Sequence, residues 1–283
     1  MANVLDEILA SKRVEIERAR VARPVELLKA LPGYAVPRRN FFGTVSAPRA
    51  GRPNLIAEIK RASPSAGVIR ADFDPVAIAR TYAAAGAAAL SVLTDEPYFG
   101  GRLEHIDEIK AAVGLPVLRK DFLLDEYQIH ESRAYGADAV LLIAEAMEPV
   151  RLVALADLAR QLGLCVLLEV HARPTLMRTL SALDASNRAN ILLGLNNRDL
   201  QAQRVDLATT ERLAELVPPG MPIVAESGIR TRRDVERMHA AGARALLVGE
   251  TLMRSADPAA TIRELFGAPT VPADGHGNAR SST

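Results

Sequence analysis

The stretch that decides the fold is one that the chain repeats: AAAGAAALSVLTD at 83–95, RAYGADAVLLIAE at 133–145 and HAAGARALLVGE at 239–250. Each copy reads as the end of a helix, a Gly-Ala turn and a short apolar run typical of a buried strand. The glycine of each turn suits the left-handed position that follows a helix. We therefore predict a repeated unit in which a helix leads directly into a buried strand.

From residue 54 onward, short apolar runs alternate with longer amphipathic segments that have helical spacing. The runs are 55–60, 88–93, 116–120, 139–143, 164–169, 191–196, 223–226 and 245–248. Near-continuous apolar strands that alternate with helices are typical of a parallel sheet covered on its outer face. Eight units with no leftover strand favour closure, so we predict an α/β fold, a single (β/α)8 TIM barrel with an extra N-terminal helix. An open doubly wound sheet is the alternative, but it would need a Gly-rich dinucleotide turn after the first strand, and none is there.

The chain divides into three predicted segments. Residues 1–53 form an N-terminal helical extension that covers the barrel, since apolar residues in 4–16 recur at helical spacing and a Pro- and Gly-containing stretch follows. Residues 54–267 form the (β/α)8 barrel. The last segment, 268–283, is predicted to be a disordered tail.

Composition excludes several classes of protein. The chain of 283 residues has 35 basic and 34 acidic residues, so its net charge of +1 creates no global field for nucleic acid or an anionic membrane. Its single cysteine cannot form an internal disulfide, and no Cys/His pattern indicates a metal site. The first twenty residues are charged, with no apolar signal core. We expect a cytoplasmic enzyme without metal, a monomer or weak homo-oligomer that binds neither nucleic acid nor membrane.

The first predicted strand carries two charges at its C-terminal end. Side chains alternate across a strand, so Glu58 and Lys60 share the face of Ile56, while the wholly apolar alternate face suits packing under helices. In barrels of this kind, chemistry lies at the C-terminal ends of the strands. We interpret the two charges as functional, because burying them costs several kcal/mol otherwise. A structural ion pair is the alternative reading.

The same alternation places further polar side chains around the rim of the barrel. They end the third, fifth, sixth and seventh strands: Lys120, Glu169, Asn196 and Glu226. Glycines directly after the last two strands, Gly228 and Gly249, predict a cradle of backbone N–H groups for a phosphate, with turn geometry as the alternative. Glu250 beside this cradle could instead complement a helix dipole.

Other candidates receive structural interpretations. Cys165 lies within a strand and is predicted to be a core residue. His171 follows Glu169 by two residues and could lie near the rim, but a surface role is favoured. Glu145, after the fourth strand, is expected either at the rim or as a cap of the next helix.

Seven motifs then occur in one order and at one set of spacings: AEIKRASPSAG (57–67), LSVLTDEPYFGG (90–101), VLRKDF (117–122), LLEVH (167–171), GLNNRDL (194–200), AESGI (225–229) and LLVGETLM (246–253). Together they resemble the indole-3-glycerol-phosphate synthase family, from the N-terminal helix to about Phe266. The resemblance implies a carboxy-lyase of tryptophan biosynthesis that needs no cofactor. Its phosphorylated small-molecule substrate would be 1-(2-carboxyphenylamino)-1-deoxyribulose 5-phosphate.

The resemblance also implies roles for individual residues. Lys120 would be the principal general acid and Glu169 a general base. Lys60 would bind anionic groups and could supply the second acid, with Glu58 as its partner or a base. The implied substrate-binding residues are Ser63, Phe99, Phe122, Asn196, Arg198 and Glu226. The implied phosphate-binding residues are Ser227, Gly228, Leu247, Gly249 and Glu250. The N-terminal helix and the loop 63–67 would help to cover the site and exclude water.

Two residues depart from the family pattern, and two other functions stay open. Ala66 stands where many members have lysine, and Arg102 where a serine is common; both concern loop contacts. One rival function is that of another phosphosugar barrel, such as an isomerase that works with a cysteine near the end of the first strand. The other is a non-catalytic phosphate-binding barrel, which would have no reason to keep four charged residues at its rim.

Overall fold

The computed structural model describes residues 4–49, 51–183, 188–199 and 204–268. Its strands are β1 Asn54–Ile59, β2 Ala62–Ser63, β3 Gly67–Val68, β4 Ala89–Leu93, β5 Val117–Lys120, β6 Ala139–Ile143, β7 Cys165–Val170, β8 Ile191–Asn196, β9 Ile223–Glu226 and β10 Ala243–Val248. Its helices are α1 Val4–Ala22, α2 Val25–Lys29, α3 Pro32–Ala35, α4 Phe41–Ser46, α5 Pro75–Ala84, α6 Glu96–Phe99, α7 Glu104–Ala112, α8 Glu126–Ala134, α9 Pro149–Gln161, α10 Arg173–Ala182, α11 Ala208–Ala214, α12 Arg232–Ala240, α13 Glu250–Met253 and α14 Pro258–Phe266. A 3-10 turn, Ala144–Ala146, follows β6. The predicted tail lies, from residue 269, outside the described residues.

Eight parallel strands close into a barrel in the order β1-β4-β5-β6-β7-β8-β9-β10, and β10 pairs with β1. β2 and β3 form a separate antiparallel pair in the loop after β1. The predicted (β/α)8 barrel with an N-terminal helix is therefore confirmed, and the open sheet is excluded. The apolar runs match the strands to within one or two residues. Lys60, predicted as the last residue of the first strand, lies directly after β1.

The repeated unit that decided the fold is also confirmed. α5, α8 and α12 end just before Gly86, Gly136 and Gly242, whose φ angles are 93°, 89° and 94°. These left-handed values terminate each helix at little steric cost because glycine has no Cβ atom. The next residues enter β4, β6 and β10. Helix starts are capped as well: Asp125 begins α8 with a capping box.

Side-chain alternation divides the apolar residues into two layers. Leu55, Ala57 and Ile59 of β1 join the large cluster between the strands and the surrounding helices. Ile56 of the same strand joins a second cluster inside the barrel, together with Cys165. The predicted inward face of β1 and the predicted core position of Cys165 are therefore correct. The side chains that follow on the inward face lead directly to the rim.

The N-terminal extension touches both ends of the barrel. α4 closes the end where the strands begin, since Phe41 and Val45 pack into the inner cluster. The Asn54 side chain ties α4 to β1 by donating to Val45 O (2.9 Å) and Ala47 O (2.7 Å). At the other end, α1 lines the cavity described below. None of the helices in the described ranges is long and apolar enough to cross a membrane.

Candidate active site

A cavity of about 610 Å³ opens at the C-terminal ends of the strands. All residues predicted for the site line it: Glu58, Lys60, Ser63, Phe99, Lys120, Phe122, Glu169, Asn196, Arg198, Glu226, Ser227, Gly228, Leu247, Gly249 and Glu250. They come from segments that are distant along the chain, and barrel closure brings them together. Val4, Leu5 and Ile8 of α1 cover one side. The cavity thus combines a charged floor with a largely apolar wall.

Lys120, at the end of β5, lies at the centre of the charged cluster. Its Nζ is 2.7 Å from Glu169 Oε2 and 3.5 Å from Glu226 Oε2. Because β5 and β9 face each other across the barrel, the contact with Glu226 spans its interior. Burial alone would lower the pKa of the Lys120 ammonium, but the carboxylates of Glu169 and Glu226 outweigh it and raise the pKa. Lys120 is therefore a charged donor at neutral pH.

The two glutamates beside Lys120 have opposite pKa shifts. Burial would raise the pKa of Glu169, but Lys120 and His171 hold it well below its usual range. Burial and the nearby Glu169 carboxylate raise the pKa of Glu226. Among the described residues, Glu226 Oε1 has no hydrogen-bond partner and is buried. The site therefore holds two neighbouring carboxyls whose pKa values are shifted in opposite directions.

Glycine makes room for two of the acidic side chains. A Cβ atom at Gly194 of β8 would lie 2.2 Å from Glu226 Oε1. A Cβ atom at Gly249 would lie 2.2 Å from Glu58 Oε1. Glu58 in turn pairs with Lys60 at 2.7 Å, and both side chains are largely buried. Backbone positions on β8 and after β10 thus set where the carboxylates can point.

The loops after β9 and β10 have the backbone geometry of an anion cradle. Ser227 and Gly228 are both left-handed, with φ of 65° and 85°. A non-glycine residue in this region is uncommon and is held there by its surroundings. Gly249 stands directly before α13, so the first N–H groups of that helix face the same end of the cavity. Consecutive free N–H groups of this kind bind anions.

Charged side chains flank the cradle. Arg198 lies 3.6 Å from Glu250, and Arg254 donates to Glu250 at 3.0 Å. Partial burial would raise the pKa of Glu250, but Arg254, Lys60 and Arg198 lower it. Glu250 lines the cavity beside the cradle and contacts two arginines, and it is also the first residue of α13, where the helix-dipole interpretation put it.

Aromatic rings form part of the apolar wall. The Phe99 and Phe122 ring centroids are 6.2 Å apart at an interplanar angle of 41°. Leu247, Leu141 and Ile143 continue the wall. A wall of this composition accepts a flat apolar ring, while the cradle accepts the opposite, anionic end of a ligand. Ala66 and Arg102 are not among the cavity-lining residues.

The expected surface role of His171 was wrong, and of the two alternatives given for Glu145 the helix cap is not the one found. The side chain of His171 is only 6% exposed and lies against Glu169 and Glu145 rather than on the surface. Glu145 does not cap α9, because its carboxylate accepts from the His171 backbone instead. Strand alternation could have placed His171, since it follows Glu169 by two residues. Glu145 and His171 follow neighbouring strands, and no pattern in the sequence predicts that these two residues are in contact.

The closed parallel barrel, with an acid–base cluster and an anion cradle at the C-terminal ends of its strands, defines a (β/α)8-barrel enzyme. The family model for indole-3-glycerol phosphate synthase matches residues 5–265. The chain belongs to the indole-3-glycerol phosphate synthase family, and it is therefore an enzyme of the lyase class.

Relatives with this name match over nearly their whole length. The indole-3-glycerol phosphate synthase of Geobacillus thermodenitrificans is 47% identical over 264 residues, which cover 93% of this chain and 97% of that protein. The protein of the same name from Rhodospirillum rubrum is 46% identical over 268 residues, 94% of this chain and 100% of that protein.

Among solved structures, 3-hexulose-6-phosphate synthase from Salmonella typhimurium is similar with a TM-score of 0.60 and 15% identity, covering 75% of this chain and 96% of that one. This similarity concerns the fold alone.

Proposed function

We propose that this chain converts 1-(2-carboxyphenylamino)-1-deoxyribulose 5-phosphate into indole-3-glycerol phosphate, CO2 and water. The observation that carries the proposal is the contact of Lys120 with Glu169 at 2.7 Å. It puts a charged acid beside an ionised base in a cavity with an anion cradle. The family membership of the chain supports the same reaction. The substrate's phosphate would bind the Ser227–Gly228 and Gly249 backbone, and its aromatic ring would lie against the apolar wall.

Ring closure is the first step. The aromatic carbon that carries the carboxylate attacks the C2 ketone, and a C–C bond forms while the C=O bond becomes C–OH. Lys120 supplies the proton to that oxygen. The electron deficit passes to the anilino nitrogen, which becomes an iminium. This positively charged nitrogen can accept the electron pair that is released when the C–CO2 bond breaks, so the substrate itself provides the electron acceptor for decarboxylation.

Decarboxylation and dehydration follow. The carboxylate leaves as CO2, and its bonding electrons restore the aromatic ring and neutralise the nitrogen. A base then removes a proton from C1 while the C2 hydroxyl leaves as water with a proton from an acid. We assign the base to Glu169. Lys60, paired with Glu58 at 2.7 Å, is the candidate for the second acid or for an anion contact, and the choice between these roles stays a prediction.

The rival functions lack a supporting observation. An isomerase of the kind considered above has a cysteine near the end of its first strand, whereas Lys60 occupies that position in this chain. Cys165 instead begins β7 inside the barrel core, and burial raises the pKa of its thiol. A silent phosphate-binding barrel would not need the Lys120–Glu169 pair. A cytoplasmic location, a monomeric or weakly associated state and the three predicted segments stay predictions from the sequence.

The test is direct turnover. Purified protein mixed with the carboxyphenylamino-deoxyribulose phosphate should develop indole fluorescence, and well-folded protein without turnover would refute the assignment. Lys120→Met should lower kcat by roughly 10²-fold or more, because a general acid is lost. Substrate binding, measured by titration, should change much less. Full kcat in Lys120→Met would remove the role given to this residue.

A further inference from the structure

His171, the first residue after β7, contacts the carboxylate of Glu145 through both its backbone N–H and its ring. Its backbone N–H donates to Glu145 Oε1 at 2.9 Å, and its ring Nδ1 lies 3.0 Å from Glu145 Oε2. Glu145 belongs to the 3-10 turn after β6, the strand next to β7. Both oxygens of Glu145 are therefore engaged, and the two contacts fix the plane of the imidazole.

The other ring nitrogen lies against the proposed base. His171 Nε2 is 3.1 Å from Glu169 Oε1, so that the two groups form an ion pair when the ring is protonated. Each ring nitrogen thus has a carboxylate oxygen beside it, an arrangement that favours a proton on both. Burial would lower the pKa of His171, but Glu145 and Glu169 raise it to about 10. His171 is an imidazolium at neutral pH.

The charged and polar groups around this pair follow or end four other strands of the barrel. Glu145 follows β6, Lys120 ends β5 and Glu226 ends β9, while Asn196 of β8 donates to Glu169 Oε1 at 3.1 Å. Lys120 Nζ contacts both carboxyls, at 2.7 Å for Glu169 and 3.5 Å for Glu226, and the Glu169 carboxylate raises the pKa of Glu226. Of these two carboxyls, His171 contacts Glu169. The imidazolium therefore stabilises the ionised form of Glu169 by direct contact, whereas Lys120 contacts both Glu169 and Glu226.

We propose that His171 is a positioning residue whose charge, held in place by Glu145, keeps Glu169 as the free carboxylate, so that Glu226 is the one of the two carboxyls that takes up a proton first. The inference rests on the proposed function, since it assumes that Glu169 acts as the base. Lys120 remains the proton donor, and His171 itself makes no contact with the reacting atoms.

Replacement of His171 by glutamine removes the charge and keeps a side chain that can donate to Glu169. Loss of an adjacent cation weakens the ionised form of a carboxyl, so the acidic limb of the kcat/KM profile should move up by about one pH unit. Activity on the alkaline side of that limb should stay near that of the wild type. His239→Gln on α12, outside the cavity, is the matched control and should leave the profile unchanged. A uniform loss of kcat/KM at every pH would overturn the proposal, because it would indicate a merely structural role.

Glu145→Gln provides a second variant in case His171→Gln fails to fold. Its amide oxygen can still accept from the His171 backbone, but its NH2 group would face Nδ1 and disfavour the proton there. The acidic limb should again move upward. An unchanged profile for a folded Glu145→Gln enzyme would contradict the proposal.

Nitrogen-15 NMR of imidazole-labelled protein separates this inference from the proposed reaction. The His171 signals, assigned by their loss in His171→Gln, should report an imidazolium from pH 6 to 8 without substrate, and Glu145→Gln should bring the titration into that range. If His171 titrates near the ordinary histidine pKa in the wild type, the inference is wrong even when the enzyme turns over. If turnover is absent while the NMR result holds, the proposed function fails and the charge assignment stands.

Discussion

At the scale of single residues, the site contains two glutamates whose surroundings shift their pKa values in opposite directions. Glu169 and Glu226 are both buried carboxyls near one lysine, yet the pKa of one is lowered and that of the other is raised. The difference lies in their neighbours: Glu169 contacts Lys120 at 2.7 Å and His171 at 3.1 Å, while Glu226 contacts Lys120 only at 3.5 Å. Two carboxyls whose environments separate their pKa values are typical of acid and base roles.

Glutamine substitutions should therefore affect the two positions unequally. Glu226→Gln puts a neutral amide in place of a carboxyl whose raised pKa favours the neutral form, and it should keep kcat within about tenfold, the scale of one altered hydrogen bond. Glu169→Gln removes an ionised base and should lower kcat by roughly 10²-fold or more. Steady-state kinetics at neutral pH on both variants decides this. Equal losses would mean that the two carboxyls have equivalent protonation states.

Gly249 is the second residue-scale test. A Cβ atom there would lie 2.2 Å from Glu58 Oε1, although its φ of −122° is open to other residues. Gly249→Ala should displace Glu58 from Lys60 and lower kcat/KM by about tenfold or more, because small misplacements of catalytic groups are costly. Gly114→Ala is the matched control, since nothing lies within 4 Å of its Cβ. Wild-type kinetics for Gly249→Ala would show that the position of Glu58 is unimportant.

At the scale of elements, α1 is attached to the barrel by a buried lysine. Lys12 Nζ lies 2.9 Å from Asp95 Oδ2 and 3.0 Å from Asp121 Oδ1, and its side chain is 1% exposed. Asp121 also pairs with the buried Arg119. Burial would raise the pKa of Asp121, but Arg119 and Lys12 lower it to about 2. The two aspartates follow β4 and β5, so this contact holds α1 over the mouth of the cavity.

Lys12→Met should loosen α1. Removing one partner of a buried ion pair costs about 3–5 kcal/mol, because the remaining charges stay buried without compensation. We expect a lower Tm and faster tryptic cleavage after Arg13 or Arg18. Lys29→Met, at an exposed position of α2, should behave like the wild type. Unchanged proteolysis of Lys12→Met would argue that apolar contacts alone dock the helix.

At the scale of the whole molecule, the residues that stabilise the barrel and the charged residues of the site lie towards opposite ends of the barrel axis. The end where the strands begin is filled by α4 and an apolar inner cluster, while the opposite end carries the charged groups. This division is general for such barrels, whose active sites occupy the C-terminal face. The inner cluster lies under the charged groups, and only its members nearest the rim, such as Leu141, Ile143 and Leu247, also form part of the cavity wall.

Phe41→Ala tests this division. The ring is 1% exposed and packs into the inner cluster, so its loss should lower the free energy of unfolding by about 3–5 kcal/mol. The kcat of the molecules that remain folded should stay near the wild-type value. Leu27→Ala, at a residue 56% exposed, is the control and should change stability by only about 0.5 kcal/mol. A large fall in kcat with unchanged stability would contradict the separation.

The periodic features of the chain were predictable from sequence because they are local. A two-residue alternation places Glu58 on the inward face, and a Gly-Ala turn ends a helix, whatever the rest of the chain does. The charged rim follows from these rules once the strands are known to be parallel. His171 could have been found in the same way, but a lone histidine after a strand favoured a surface reading.

By itself the sequence determined which residues form strands, which side chains point inward and which strand ends carry charge. Only the tertiary structure decided that Glu145 contacts His171, that Lys12 lies between two aspartates and that the pKa of Glu226 is raised while that of Glu169 is lowered. Alternation and capping depend on neighbours along the chain, which the sequence states directly. Protonation and ion pairing depend on distances between strands that are far apart in sequence, and barrel closure alone sets those distances.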